Sequence, residues 1–372
     1  MPTHLVTGAT GFVGGAIVLE LLQNTSDPIV AIVRRSETES ADKRLHDSIM
    51  HAARLYGLDA DALPLERLST VAGDVTRPHC GVDGPPPHAH ILWHSAASLR
   101  YEDRHAEEIH TTNVGGTRNV LDLARAAGVE IANMVSTAYV VGRAGGRLFE
   151  TPIGECNTNN HYERSKVEAE ALVRAAEAEG RLRVRILRPG IVVGHSRTMG
   201  ATTFTGLYGF TRQMLQFKGA MDRMQKGLLD SRPLHIRATP TLGLSLVPID
   251  EVAAQAVHIG LQTGAAGVYN LTQAAPPPID ESIAAVTRAL GFPDPLFVAP
   301  DAPLEWLDEQ LDKRLDFYGS YVRGDKVFDR SRSDAALAGR PDLSRPLPPV
   351  ADLVGWYLSR LEAERAAMPV SR

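Results

Sequence analysis

Between Thr7 and Gly14 the chain reads TGATGFVG, three glycines at GxxGxxG spacing, and no other stretch restricts its folding as tightly. Leu5 and Val6 precede it as a short apolar run, while Ile17, Val18, Leu21 and Leu22 follow at helical spacing, so the pattern is strand, glycine turn, helix start. Gly8 permits the tight turn, Gly11 lets backbone approach a pyrophosphate, and Gly14 lets the helix pack near the strand. The helix N-terminus offers unsatisfied N–H groups to an anion. A glycine triplet alone is a weak signal, with a plain structural turn as the competing reading. The flanking patterns favour a dinucleotide cradle over Thr7, Gly8, Thr10, Gly11, Phe12, Val13 and Gly14.

The next apolar run, 29–33 (IVAIV), is continuous, as in parallel strands covered on both faces. It ends at Arg34 and Arg35, where an acidic residue would hold a ribose 2′-OH; arginine there accommodates a 2′-phosphate and points to NADP rather than NAD. Residues 36–68 are polar with Leu45, Ile49, Ala52, Ala53 and Leu55 at near-helical spacing, one or two helices where a short connection is usual. Residues 71–75 read as the end of a third strand, with Asp74 placed to reach an adenine or, nearly as well on spacing, to occupy a surface loop. After a loop at Pro85 to Pro87, residues 91–93 form a fourth strand running into His94, Ser95, Ala96 and Ala97, small residues that admit a flat ring against the backbone. Residues 113–127 read as a helix with Val114, Val120, Leu121 and Leu123 on its apolar face, closed by Gly128.

A strand over 131–135 leads into Ser136, Thr137, Ala138 and Tyr139, and Tyr162 and Lys166 follow within a helical pattern continued by Val167, Ala171, Leu172 and Ala175. Spacing of four puts phenol and ammonium on one helix face. The ammonium is expected to favour the phenolate and lower the tyrosine pKa toward neutrality. Such pairs are common by chance, but beside a glycine turn and a hydroxyl-bearing strand end this one reads as a proton-transfer site.

Composition removes several alternatives. The net charge of −5 and the lack of like-charge blocks give no reason to expect nucleic acid. Cys80 and Cys156 are the only cysteines, which argues against a disulfide framework or a cysteine metal site and suits a reducing cytosol. No apolar run approaches a membrane span, and a first strand at the fifth residue is expected to leave no room for a leader segment, so the expected location is cytoplasmic.

Together TGATGFVG, GDV (Gly73 to Val75), HSAA (His94 to Ala97), STAYVVG (Ser136 to Gly142), YERSK (Tyr162 to Lys166) and RPGIVVG (Arg188 to Gly194) resemble the extended short-chain dehydrogenase/reductases. The resemblance implies Thr137, Tyr162 and Lys166 as a catalytic trio with Asn113 behind them. It also implies Pro189, Gly190, Ile191 and Val192 along the nicotinamide, and Asp74, Val75, Ser95, Ala96 and Ala97 among the cofactor residues. The long insertion before GDVTRP, the STAYVVG form and NNHYERSKVEAE are most similar to thioester reductases and fatty acyl reductases, which release carrier-bound or coenzyme A-bound acyl chains. With no carrier or adenylating module before the glycine turn, a stand-alone reductase is expected, with any acyl carrier docking from outside. A carbonyl reductase, secondary alcohol dehydrogenase or sugar-nucleotide epimerase of the same superfamily is the alternative.

Beyond Gly194 the motifs thin out. Phe204, Leu207, Tyr208, Thr211, Met214, Leu215, Lys218, Met221, Gln225 and Leu228 follow a helical period that suits a core helix, a lid over an apolar substrate, or a membrane-surface helix. Residues 246–249 and 268–271 read as strands. Helices are expected over 250–259, 279–290, within 299–327, and over 353–361, with frayed last residues. His235, His258 and the cysteines have no metal-ligand spacing, and Cys156 is a candidate for the active-site mouth. The expected fold is α/β, a Rossmann-type doubly wound parallel sheet with a smaller, mostly helical C-terminal substrate-binding domain. The boundaries are 1–194 for the NADP-binding domain, 246–272 returning to it, and 195–245 with 273–372 for the substrate region; a monomer and a homodimer are both left open. Replacing Arg34 and Arg35 by Ala is expected to weaken NADPH binding at least about tenfold with little effect on NADH; equal losses in fluorescence titrations of both would refute the 2′-phosphate reading.

Overall fold

The computed structural model describes residues 1–262 and 266–367. Its strands are β1 His4–Thr7, β2 Ile29–Val33, β3 Leu68–Ala72, β4 Ile91–His94, β5 Ile131–Val135, β6 Gly146–Leu148, β7 Arg183–Pro189, β8 Ile191–Val193, β9 His235–Arg237, β10 Leu246–Pro248, β11 Gly267–Leu271, β12 Leu296–Val298 and β13 Lys326–Phe328. The helices are α1 Phe12–Asn24, α2 Ala41–Leu55, α3 Ala106–His110, α4 Gly116–Ala127, α5 His161–Ala178, α6 Leu207–Met224, α7 Ile249–Leu261, α8 Ile279–Ala289, α9 Trp306–Arg314, α10 Asp316–Val322, α11 Ser331–Ala336 and α12 Val350–Ala367.

Seven strands form one parallel sheet in the order β3-β2-β1-β4-β5-β7-β11. Neighbouring residues of one strand enter opposite cores: Val6 and Trp93 face the cluster that includes α1, α2 and α7, while Leu5 and Leu92 face the one that includes α4 and α5. Burial on both faces is why these strands read as continuous apolar runs. Strand order reverses between β1 and β4, so the crevice at the carboxyl ends of those two strands is where such a sheet takes a ligand.

The glycine turn makes that crevice possible. Gly8 has φ +77°, and a Cβ there would lie 2.6 Å from Ala96 N. A Cβ at Gly14 would fall on Gly8 O, so α1 starts against the turn itself. Gly11 caps α1 with no side-chain bond, which leaves the first helical N–H groups without a capping oxygen.

Around a second core stand α6, α8, α9, α10 and α12 with the short β9–β12 pair. Phe210, Met214, Phe217 and Met221 of α6 pack there on Ile283, Leu311 and Leu353. The helix therefore buries its apolar stripe in protein, which removes the membrane-surface reading and leaves core helix and cavity wall, roles it combines. Among the described residues no helix is long and apolar enough to cross a membrane, and no group of His, Cys, Asp or Glu could hold a metal ion.

Several expected boundaries move. β3 stops at Ala72, and the chain turns at Asp74, whose O accepts the Arg77 N–H at 3.0 Å and whose Oδ1 accepts the Thr76 N–H at 2.9 Å. The helix expected from 113 begins at α3, and residues 111–115 form a π turn with Asn113 inside it. One charged helix within 299–327 becomes two, broken at Leu315. The closing helix α12 starts at Val350 rather than 353, and the fraying expected of the last residues lies outside the described residues.

One buried ion pair ties α5 to the sheet. Arg188 at the end of β7 donates from Nε and Nη2 to both Glu170 oxygens of α5, at 2.9 and 2.6 Å, with each side chain about 1% exposed. Removing one partner strands the other charge in a low dielectric, so Glu170→Ala is expected to cost about 3–5 kcal/mol. Urea denaturation checks this, and a loss under about 1 kcal/mol would show that the pair does not anchor α5.

Candidate active site

At the carboxyl ends of β1, β4 and β5 lies a cavity of about 460 Å³. Ser95, Ala97, Thr137, Tyr162 and Lys166 line it from the sheet side together with Gly11, Phe12 and Val13 of the glycine turn. Pro189, Gly190, Ile191 and Val192 form a further wall. The second core supplies Leu207 and Phe210 of α6, Ile283 and Val286 of α8, and Phe317, Tyr318, Tyr321 and Val322 of α10.

Each polar residue is placed by local chemistry. Asn160 caps α5, its Oδ1 accepting the Glu163 N–H at 2.9 Å, while Glu163 reaches back to accept the Asn159 N–H at 2.7 Å. These two bonds set Tyr162 in the first turn. Lys166, one turn later and 5% exposed, donates to Val135 O at 3.1 Å, with Nζ 6.0 Å from the Tyr162 ring centre. Thr137 follows β5 and its Oγ1 accepts the Tyr139 N–H at 3.2 Å. Asn113 is buried behind the cavity wall. Its Oδ1 accepts the Ser98 N–H at 2.7 Å, and its Nδ2 donates to Ser165 Oγ at 2.8 Å and to Ser98 O at 3.1 Å. The π turn aims that amide at both α5 and the loop after β4.

The electrostatics correct one expectation. Tyr162 does not have a lowered pKa: burial raises it, and the neighbouring Glu163 carboxylate raises it further. The Lys166 ammonium, 6.0 Å from the ring centre, does not offset this, and burial lowers its own pKa to about 8. The phenol is thus neutral, the form that can give up a proton.

The remaining candidate residues divide by position. Thr7 lies under the floor, its Oγ1 bonded to His94 Nδ1 at 2.8 Å. Gly8, Thr10, Gly14 and Ala96 shape the turn and the strand end without lining the cavity. Asp74 and Val75 also lie outside it: Asp74 Oδ1 is engaged by Thr76, and Val75 packs on α4, where its O accepts from Asn119 at 2.8 Å. Arg34 and Arg35 are exposed at the end of β2, and Arg35 reaches Asp83 at 3.6 Å. Cys156 does not line the mouth; its Sγ donates to Val140 O at 3.6 Å.

Sequence reasoning gave no role to three groups. His94 bridges Thr7 and, through Nε2 at 3.0 Å, Thr117 of α4, with its pKa lowered to about 3 by burial and then by Lys166. A histidine between two threonines leaves no pattern in the chain, although its place at a strand end was visible. Ser136 Oγ is buried beside Thr137 with no partner among the described residues, and Ser136 lines the cavity. Tyr101 stacks on Phe317 with ring centres 3.6 Å apart, closing the cavity between elements 216 positions apart in sequence; nothing in the sequence signals it.

A family model described as male sterility protein, NAD-binding, matches residues 6–256. Glycine betaine reductase ATRR of Emericella nidulans is 26% identical over 82% of this chain and 23% of its own length. Curated relatives of this kind are much longer, the chain spanning between 5% and 29% of their length. Among solved structures, the terminal R domain from the myxalamid PKS-NRPS biosynthetic pathway has a TM-score of 0.76 and 26% identity, covering 98% of this chain and 91% of that one. A thiolation-reductase di-domain from an archaeal non-ribosomal peptide synthetase shares the fold at TM-score 0.71 and 18% identity, covering 97% and 91%.

Lys166 generates a stability prediction. Its ordinary pKa of 10.5 in the unfolded chain against about 8 in the fold means that the unfolded state binds more protons between those values, so stability rises with pH across them. Compared with Lys166→Met, the protein is expected to gain about 2–3 kcal/mol between pH 7 and pH 10.5 in paired denaturation curves. Parallel profiles would mean that the buried amine is not the source.

Proposed function

The chain belongs to the male sterility protein family of NAD-binding reductases, within the extended short-chain dehydrogenase/reductases, and from that premise we propose that it is an NADPH-dependent reductase of acyl thioesters carried on a carrier protein or coenzyme A. That it is an NAD(P)-dependent oxidoreductase follows from the family and its reductase relatives. The observation that carries the finer reading is the cavity: a proton-transfer set at one end and apolar or aromatic walls from α6, α8 and α10 at the other, with no Asp or Glu among its lining residues. An acyl chain suits such walls.

The chain fits a dinucleotide. Backbone packed on backbone at Gly8 and Gly14 holds the turn open to the crevice without side chains, and the uncapped α1 N-terminus offers N–H groups to a diphosphate. Arg34, exposed and with no ion-pair partner among the described residues, and Arg35 would recognise a 2′-phosphate. Asp74, through its free Oδ2, and Val75 would meet the adenine; Ser95, Ala97 and Pro189 to Val192 would flank the rings. When bound, this cofactor supplies a hydride.

The protein's own groups then act on the carbonyl oxygen. As the thioester carbonyl carbon becomes tetrahedral, Thr137 Oγ1 and the neutral Tyr162 hydroxyl hydrogen-bond the oxyanion and Tyr162 delivers its proton to it. Lys166, held by Val135 O, places a positive charge near the phenolate that remains. Asn113 keeps α5 and the loop after β4 in register. Collapse of the hemithioacetal breaks the C–S bond, giving an aldehyde and the donor's free thiol.

NADPH consumption at saturating cofactor, with a panel of acyl thioesters beside matched free aldehydes and ketones, tests this. Turnover of thioesters is expected, with Tyr162→Phe slowing it by about 10²–10⁴ while its NADPH affinity stays within about twofold. Consumption with free carbonyls alone would assign the enzyme to ordinary carbonyl reduction. The rate is also expected to fall above about pH 8 as Lys166 loses its charge.

A further inference from the structure

Near the solvent end of the cavity one guanidinium lacks an anion. Arg212 of α6 is exposed and lines the cavity. Its Nε donates to Tyr357 OH at 2.8 Å, and its Cζ lies 5.9 Å from that ring's centre, while Tyr357 is fully buried on α12. The stem is therefore held, yet among the described residues no carboxylate pairs with the guanidinium and neither terminal nitrogen makes a hydrogen bond. Other arginines of this half are neutralised: Arg232 by Asp308 at 2.8 Å, Arg237 by Asp312 at 2.8 Å.

Three more polar side chains line the cavity close by in sequence, Gln213 on α6 and Thr203 and Thr205 in the loop before it. None of the three side chains makes a hydrogen bond among the described residues. The loop lies against the cofactor wall because Gly206 has φ +55° and a Cβ there would come within 2.6 Å of Ile191 Cγ2. A planar guanidinium, two hydroxyls and an amide, with no acidic residue on the lining, are the donors that a phosphate monoester or diester requires.

We propose that Arg212, with Thr203, Thr205 and Gln213, forms a phosphate-binding site in this cavity. Two phosphates reach it in principle. One belongs to the phosphopantetheine arm of the acyl donor, an assignment that rests on the thioester reading. The other is the cofactor's diphosphate, since Phe12 of the glycine turn and Phe204 of this loop pack against the same buried Tyr208 and Tyr357.

The test compares the full chain with Arg212→Gln and Arg212→Lys, using an acyl 4′-phosphopantetheine thioester, the same acyl pantetheine thioester without phosphate, and NADPH fluorescence titration. A KM raised about tenfold in Arg212→Gln for the phosphorylated donor alone, partly restored in Arg212→Lys, places the donor's phosphate there. A Kd for NADPH raised about tenfold, with both donors affected alike, places the cofactor's diphosphate there. Unchanged values in both measurements overturn the site. If the unaltered chain reduces neither thioester, the thioester reading fails on its own, and the NADPH titration alone decides: an unchanged Kd overturns the proposal.

Discussion

At the centre of the sheet, main chain packs against main chain with no side chain between. The turn at Gly8 lies on the backbone of Ser95 and Ala96, and α1 begins against Gly8 through Gly14. This approach brings the carboxyl ends of β1 and β4 together at the reversal of strand order and points the α1 N-terminus into the crevice. Thr7, His94 and Thr117 brace it from below with hydrogen bonds of 2.8 and 3.0 Å. The histidine is neutral there, so the brace adds no charge beneath the crevice.

The inner face of α5 carries charges where a helix would ordinarily bury apolar side chains. Glu163 is spent on capping, Glu170 is paired with Arg188, and Lys166 has the Val135 carbonyl and the more distant Glu170 charge against its burial. A shift from 10.5 to about 8 corresponds to about 3 kcal/mol against the charged amine. That figure is net of the Val135 hydrogen bond, so the charged lysine costs stability rather than adding it. The stable attachments of the helix are the Asn160 and Glu163 capping bonds and the Arg188 pair, and these allow a marginal ammonium to be kept beside Tyr162.

The two cores divide the work. The sheet with its glycine turn supplies a polar end of fixed geometry, and the helices around the second core supply an apolar wall whose parts come from α6, α8 and α10. The Tyr101–Phe317 stack joins them above the cavity. Because α6 both fills the second core and lines the cavity, a change in its apolar stripe alters stability and cavity shape together.

Local rules sufficed for much of the first half. A glycine turn between a strand and a helix needs no distant partner to be recognised, and Tyr162 and Lys166 share a face by helical period alone. Strands buried on both sides announce themselves as unbroken apolar runs. Tertiary structure decided what depends on neighbours remote in sequence. The pKa of Tyr162 moved opposite to its local expectation, because desolvation by the folded surroundings outweighs one lysine that is itself desolvated. The π turn at Asn113, the His94 brace, the breaking of residues 299–327 at Leu315 and the three-residue strands β8, β9 and β12 likewise have no periodicity to read. The sequence by itself determined the strands, the glycine turn and the shared helix face of Tyr162 and Lys166, since those rest on backbone geometry and helical or strand period. Only the fold decided which side chains wall the cavity and which charges survive inside it, since burial is a property of everything packed around a residue.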